Sequence, residues 1–169
     1  MDNNNRITVN KSPNTYVERL LEITDAKYAC LQEMLELTAE QASVIDEDEI
    51  ERLENILDEK QRIIEKVDKL DDEFEVYFHR LKSESRIKSL EELSSNEVKG
   101  LKELKISVSN VMAVLKELSD LEKSNNSRAK KALEDIGNGL KNINVAKKVN
   151  SAYGALPIQT ESFFIDKKK

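Results

Sequence analysis

The central stretch of the chain decides the fold; it reads IERLENILDEKQRIIEKVDKLDDEFEVYFHRL over residues 50–81. Apolar residues recur in it at steps of three, four and seven, the spacing of an α-helix that packs one side against another helix. These residues are Ile50, Leu53, Leu57, Ile64, Val67, Phe74, Phe78 and Leu81. The pattern predicts one uninterrupted helix of about 36 residues, which would form a rod roughly 54 Å long.

A second apolar row runs beside this seam. It contains Ile56, Ile63, Leu70 and Tyr77, each seven residues after the one before. Two neighbouring rows indicate that the helix faces two helices of its own chain, or one such helix and a partner. Because a thin bundle cannot cover every row, we predict that these four residues bind a partner. Packing within the chain explains the row equally well.

A first helix precedes the central one. Its apolar residues repeat at helical spacing over 17–42. Thr15, followed three residues later by Glu18, predicts a capping box at its start. The acidic run at 46–49 then marks a boundary, because carboxylates are favoured in the first turn of a helix. One of the two aspartates in this run is predicted to cap the central helix.

A serine-rich stretch follows the central helix. Residues 83–96 are predicted to break the rod, with a short helix at 89–93. A third long helix is predicted from Leu101 onward, and its apolar spacing is interrupted by Glu122 and Asn125. A buried asparagine weakens such a seam but can specify its register.

The composition favours an all-α fold. The 169 residues include only 4 Gly and 2 Pro, and 36% of them are charged. We predict an elongated antiparallel helical bundle or coiled coil of three long helices. Its predicted divisions are a flexible N-terminal tail at 1–14, a helical domain at 15–149 and a mobile C-terminal tail at 150–169. Pro157 prevents a continuous helix through that tail.

Charge is segregated along the chain. Residues 46–75 hold 14 acidic and 5 basic residues, whereas residues 138–169 hold 6 lysines and 2 acidic residues. The tail could lie on the acidic helix, or each could meet a separate partner. Large apolar side chains in the tail cannot extend the seam, so they are predicted to bind a partner. These tail residues are Tyr153, Phe163, Phe164 and Ile165.

No arrangement of residues indicates catalysis. His79 and Cys30 are the only residues of their kinds, so neither a zinc site nor a Cys–His pair is expected. No glycine-rich phosphate-binding loop occurs, and we predict no catalytic residue, no metal and no cofactor. The net charge of −6 disfavours nucleic acid as a partner. No apolar run is long enough for an integral membrane segment or a signal peptide, so the expected location is the cytoplasm.

Several segments occur in a characteristic order. The first helix contains Leu-Gln-Glu-Met-Leu-Glu-Leu at 31–37, and the second contains Leu-Glu-Asn-Ile-Leu-Asp-Glu-Lys-Gln at 53–61. There follow Ser-Leu-Glu-Glu-Leu at 89–93, Asn-Asn-Ser-Arg-Ala at 125–129, Tyr-Gly at 153–154 and Ile-Asp-Lys-Lys-Lys at 165–169. This ordered set resembles the FlgN family of flagellar type III export chaperones, and the resemblance covers most of the chain.

The resemblance implies a cytoplasmic chaperone and no enzymatic activity. Its implied clients are the flagellar hook-filament junction proteins, which it keeps from premature assembly. It would deliver them to the cytoplasmic domain of the export gate, with Tyr153 as the implied gate contact. Binding a client helix requires an apolar surface of the kind that the spare row offers. Helix seams of this type also allow a homodimer.

Other classes stay open beside the chaperone. A structural coiled-coil dimer or scaffold would use every apolar row in self-association. A related flagellar or secretion chaperone would serve a different subunit. An enzyme subunit or regulator would need an active site of an unfamiliar kind. Co-purification with a junction subunit separates the first of these classes from the predicted chaperone.

Overall fold

The computed structural model describes residues 12–138, which form three long α-helices joined by short connections. Helix α1 is Pro13–Asp46, α2 is Ile50–Ser85 and α3 is Leu101–Asn138, with a short 3-10 helix, Leu90–Glu92, between α2 and α3. The described residues contain no strand, so the predicted all-α fold of three long helices is confirmed. Predictions for residues 1–11 and 139–169, including the C-terminal tail, lie outside the described residues.

Helix α1 begins three residues before its predicted start, since Ser12 and not Thr15 is the N-cap residue. Pro13 lies in the first turn, where its missing N–H is not needed and its fixed φ suits the helix. Ser12 is the N-cap residue, and its backbone carbonyl accepts a hydrogen bond from the N–H of Thr15 at 2.9 Å. The predicted capping box at Thr15 and Glu18 is therefore wrong, because the helix has already begun at the proline.

Backbone hydrogen bonds hold the joint between α1 and α2. The N–H of Glu47 donates to the carbonyl of Ser43 at 3.0 Å, and that of Glu49 donates to the carbonyl of Val44 at 3.2 Å. Asp48 has a left-handed φ of 56° that helps to reverse the chain. The N-cap residue of α2 is Glu49, without a side-chain cap. The predicted boundary is confirmed and its aspartate cap is wrong; α2 spans 36 residues, as predicted.

The connection from α2 to α3 lies where the serine-rich stretch predicted a break. Arg86 adopts a left-handed φ of 54° and ends α2, and the N–H of Ile87 donates to the carbonyl of Lys82 at 3.1 Å. The chain enters α3 through Gly100, whose φ of +83° is one that glycine adopts without strain. Gly100 lies beside Val17, so the start of α3 is held against the start of α1.

Helix α1 packs along both other helices, whereas α2 and α3 have few close backbone approaches to each other. Helix α2 runs antiparallel to α1. Near the start of α1, the Tyr16 hydroxyl donates to Glu84 at the end of α2. Near the end of α1, Gln41 accepts a hydrogen bond from Lys60, in the first half of α2.

Helix α3 runs parallel to α1. The Ser107 hydroxyl, near the start of α3, donates to Asp25 at 2.5 Å. Further along, Arg128 forms an ion pair with Asp46, the last residue of α1. The joint at which α2 begins therefore lies beside α3 ten residues before that helix ends at Asn138.

Two apolar clusters form the core. The larger one lies toward the α1–α2 joint, and its most buried members are Leu31, Leu53, Ile56, Ile63, Val67, Leu118 and Ala129. The smaller one lies at the other end and includes Tyr16, Val17, Leu20, Leu81, Leu101 and Leu104. Each cluster draws residues from all three helices, so the helices are held together along their length.

Candidate functional site

A buried polar cluster joins the three helices inside the larger core. Lys60 of α2 is 3% exposed, and its ammonium donates to the side-chain carbonyl of Gln41 at 2.8 Å. It also forms an ion pair with the carboxylate of Glu122 on α3. Asn125 donates from its side-chain amide to the backbone carbonyl of Thr38 at 2.8 Å. These contacts align α2 and α3 at one height along α1.

The electrostatics of this cluster are set by burial. Removal from water lowers the pKa of Lys60 below its ordinary value of 10.5, and the nearby Glu122 carboxylate partly offsets that effect. The charged pair is retained in the interior because each charge has a partner. The apolar spacing of α3 indicated the polar interruption at Glu122 and Asn125, but the predicted seam of α2 did not indicate that Lys60 is buried. The burial of Lys60 could have been predicted from its spacing, since it lies four residues after Ile56 and three before Ile63 on the same side of α2.

The predicted partner-binding row lies partly in the core. Ile56 is 0% exposed and Ile63 is 2% exposed, and both belong to the larger cluster. A partner could reach these two residues only if α2 moved away from its neighbours. By contrast, Leu57 and Ile64, which the pattern placed in the seam, are half-buried. Leu53 and Val67 of the predicted seam are also buried, so in this half of α2 the core contains residues of both rows.

The other half of the predicted row has intermediate exposure. Leu70 and Tyr77 are both half-buried. The ring of Tyr77 packs against Tyr16 of α1 with the centroids 6.4 Å apart, and Arg80 lies over the ring of Tyr77. The structure therefore spreads the four residues of the row over different environments instead of one exposed surface. Their role in partner binding stays a prediction.

An incompletely covered apolar surface lies between α2 and α3. Leu57 and Ile64 of α2, with Leu115 and Leu133 of α3, are half-buried and pack against the same core. The Lys60–Glu122 ion pair crosses between the helices at its centre. We call these four residues and the space between them the α2–α3 groove. It exists because the two helices pack on α1 and not closely on each other.

Each wall of the α2–α3 groove carries a row of exposed charges. On α2, successive residues turn by about 100°, so Ile56 is buried, Leu57 lies in the groove and Asp58 is exposed. The exposed acids recur every seven residues; this acidic row is Glu51, Asp58, Glu65 and Asp72. On α3 the exposed lysines recur at the same spacing; this basic row is Lys116, Lys123 and Lys130.

The remaining candidate residues that the structure describes are His79 and Cys30. Among residues 12–138, no group of three His, Cys, Asp or Glu side chains is arranged to hold a metal. His79 is exposed and Cys30 is half-buried. No helix in the described part of the chain combines the length and apolar character needed to cross a bilayer. Tyr153, Phe163, Phe164 and Ile165 lie outside the described residues.

The described chain is thus an elongated three-helix protein with an apolar groove between walls of opposite charge. A family model described as FlgN protein matches residues 16–156. The chain belongs to the FlgN family, whose members are flagellar export chaperones. It is accordingly a chaperone of flagellum biogenesis, and the family is not one of enzymes. Neither a curated protein nor a solved structure matches this chain.

Proposed function

We propose that this chaperone binds flagellar hook-filament junction proteins in the cytoplasm and keeps them from assembling before export. It then delivers them to the cytoplasmic domain of the type III export gate. The FlgN family match over residues 16–156 is the observation that carries this proposal. The half-buried apolar α2–α3 groove supports the proposal further, because it is a surface suited to a client helix.

The α2–α3 groove suits an amphipathic helix. Such helices bind by placing their apolar face along a hydrophobic groove. Full burial of a Leu or Ile side chain stabilises a contact by about 1.5–3 kcal/mol. Leu57, Ile64, Leu115 and Leu133 are already half-buried, so each would contribute about half of that before the entropic cost of association. The charged rows on the two walls would orient the client helix.

The predicted site residues take different parts in this proposal. Leu70 and Tyr77 continue along α2 beyond the groove and would contact a longer client. Ile56 and Ile63 would take part only if the helices separated. Tyr153 is the proposed contact to the export gate. The remaining predicted contacts lie in the C-terminal segment and would bind a partner there; they are Phe163, Phe164 and Ile165.

Removing apolar groove contacts is expected to weaken client binding. We expect the double variant Ile64→Ala/Leu115→Ala to bind a purified junction subunit about tenfold more weakly, which corresponds to ~1.4 kcal/mol. The measurement is isothermal titration calorimetry at a temperature well below the thermal unfolding midpoint of the variant. The matched control is Ile106→Ala, because Ile106 is 51% exposed and lies outside the groove.

Equal affinities of the double variant and the wild type would place the client elsewhere. Sedimentation of the free chain would then show whether the groove is closed by a homodimer. Self-association lost in the double variant, with no affinity for the junction subunit, would favour the scaffold function instead.

Gate binding is expected to depend on Tyr153. The Tyr153→Ala variant should lose about 1–2 kcal/mol of binding free energy for the gate domain, since an aromatic anchor is typical of binding hot spots. Affinity for the junction subunit should be unchanged. Surface plasmon resonance against the immobilised gate domain measures the effect, and Tyr28→Ala is a control for generic tyrosine loss. Wild-type gate affinity in Tyr153→Ala would refute the assignment.

A further inference from the structure

The C-terminal segment has the chemistry that the α2–α3 groove can accommodate. Residues 163–169 read Phe-Phe-Ile-Asp-Lys-Lys-Lys, an apolar triplet followed after one residue by three lysines. We propose that this segment occupies the α2–α3 groove of its own chain when no client is bound. The apolar triplet covers the half-buried groove residues, and the lysines lie along the acidic row of α2.

Charge complementarity supports this occupant. The acidic row presents exposed carboxylates at a seven-residue spacing, roughly one every 10 Å along α2. Residues 46–75, which contain this row, hold 14 acids against 5 bases, whereas residues 138–169 hold 6 lysines against 2 acids. The basic row on α3 would repel the terminal lysines, so it directs them toward α2. The two walls together therefore specify the orientation of the docked segment.

The position of α3 makes the groove accessible to the segment. Helix α3 ends at Asn138, 16 residues after Glu122 at the centre of the groove, which is roughly 24 Å along the helix axis. The connection at residues 139–162 can span up to ~3.3 Å per residue, or about 80 Å. On α2 the groove runs from Leu57 to Ile64, about 10 Å of the helix axis, and on α3 it runs from Leu115 to Leu133, about 27 Å. The connection is therefore about three times as long as the ~24 Å between the end of α3 and the centre of the groove.

The docked segment would act as a reversible cover. An apolar strip left open on a soluble chain favours self-association, and a tethered segment covers it at high effective concentration. A client helix that binds the same groove must displace the segment and release Phe163, Phe164 and Ile165 for contacts with a partner. This displacement rests on the proposed function, whereas the docking itself does not.

Zero-length carbodiimide cross-linking of the full chain tests the docking without any client. Mass spectrometry should find Lys167, Lys168 and Lys169 joined to Asp58, Glu65 and Asp72 of the acidic row. The reference carboxylates are Glu33, Glu36 and Glu117, which are also exposed but lie away from the groove. We expect yields at the acidic row at least about threefold higher than at the reference sites, with the excess lost at ~0.5 M salt.

A triple variant separates docking from simple charge attraction. Phe163→Ser/Phe164→Ser/Ile165→Ser keeps all three lysines, and its cross-links to the acidic row should fall to the reference level. Mixing isotopically heavy and light chains should show that the wild-type cross-links join residues of one copy. Cross-links in proportion to carboxylate exposure alone, or only between copies, would overturn the proposal. Neither result depends on client affinity, so client binding is judged separately.

Discussion

Replacing Glu122 by glutamine is expected to destabilise the protein by about 3 kcal/mol near pH 7, because Lys60 would keep a buried charge without its ionic partner. Lys60 is 3% exposed, so water cannot replace the lost carboxylate. The amide side chain has nearly the shape of the carboxylate it replaces, which limits the change to electrostatics. Urea unfolding followed by circular dichroism measures the free energy of unfolding.

The loss of unfolding free energy in Glu122→Gln, relative to the wild type, should become smaller as the pH rises. Burial already lowers the pKa of Lys60 in the folded wild type, and loss of Glu122 lowers it further. Between that lowered pKa and the unfolded value of 10.5, the unfolded state binds more protons than the folded state. The free energy of unfolding therefore rises with pH in this window. Unfolding at about pH 7 and pH 9.5 should show the recovery.

A double variant provides the control for this result. Lys60→Met/Glu122→Leu removes both charges and fills a similar volume, so its stability should lie within ~1 kcal/mol of the wild type or above it. Its stability should also lack the recovery between the two pH values. Equal stability of Glu122→Gln and the wild type near pH 7 would contradict this prediction. It would mean that water reaches the Lys60–Glu122 ion pair.

Two adjacent isoleucines should respond very differently to the same substitution. Ile63→Ala is expected to cost about 2–5 kcal/mol, because Ile63 lies in the core and its truncation leaves a cavity. Ile64→Ala should cost only about 1 kcal/mol, because its side chain is already partly in water. Both residues lie within α2 and gain the same helix propensity on change to alanine, so the difference isolates burial.

Thermal and urea unfolding of the two single variants measures this difference. Ile56→Ala and Leu57→Ala form an equivalent pair seven residues earlier and should show the same order. Equal costs within each pair would mean that α2 is rotated about its axis relative to the described structure. A larger cost at Ile64 than at Ile63 would mean that Ile64 faces the core, as its place in the predicted seam implied.

The positions of the three helices and most of their limits follow from the amino-acid sequence alone. Helical spacing of apolar residues depends only on local geometry, so α2 and α3 were predicted with their connections. The capping of the helix starts was less predictable. Helix α1 begins at Pro13 after Ser12, and α2 begins at Ile50 after Glu49, and neither N-cap residue makes the side-chain cap that the pattern favoured.

Which side of each helix is buried depends on how the three helices pack together. Ile56 and Leu57 are equally apolar and adjacent, and either row could have faced α1; the placement of α2 relative to α1 and α3 buried the first. The same placement buried Lys60, because Gln41 and Glu122 come from other helices and supply its partners. Spacing along one helix cannot specify these contacts, since they depend on the rotation and separation of three helices in space.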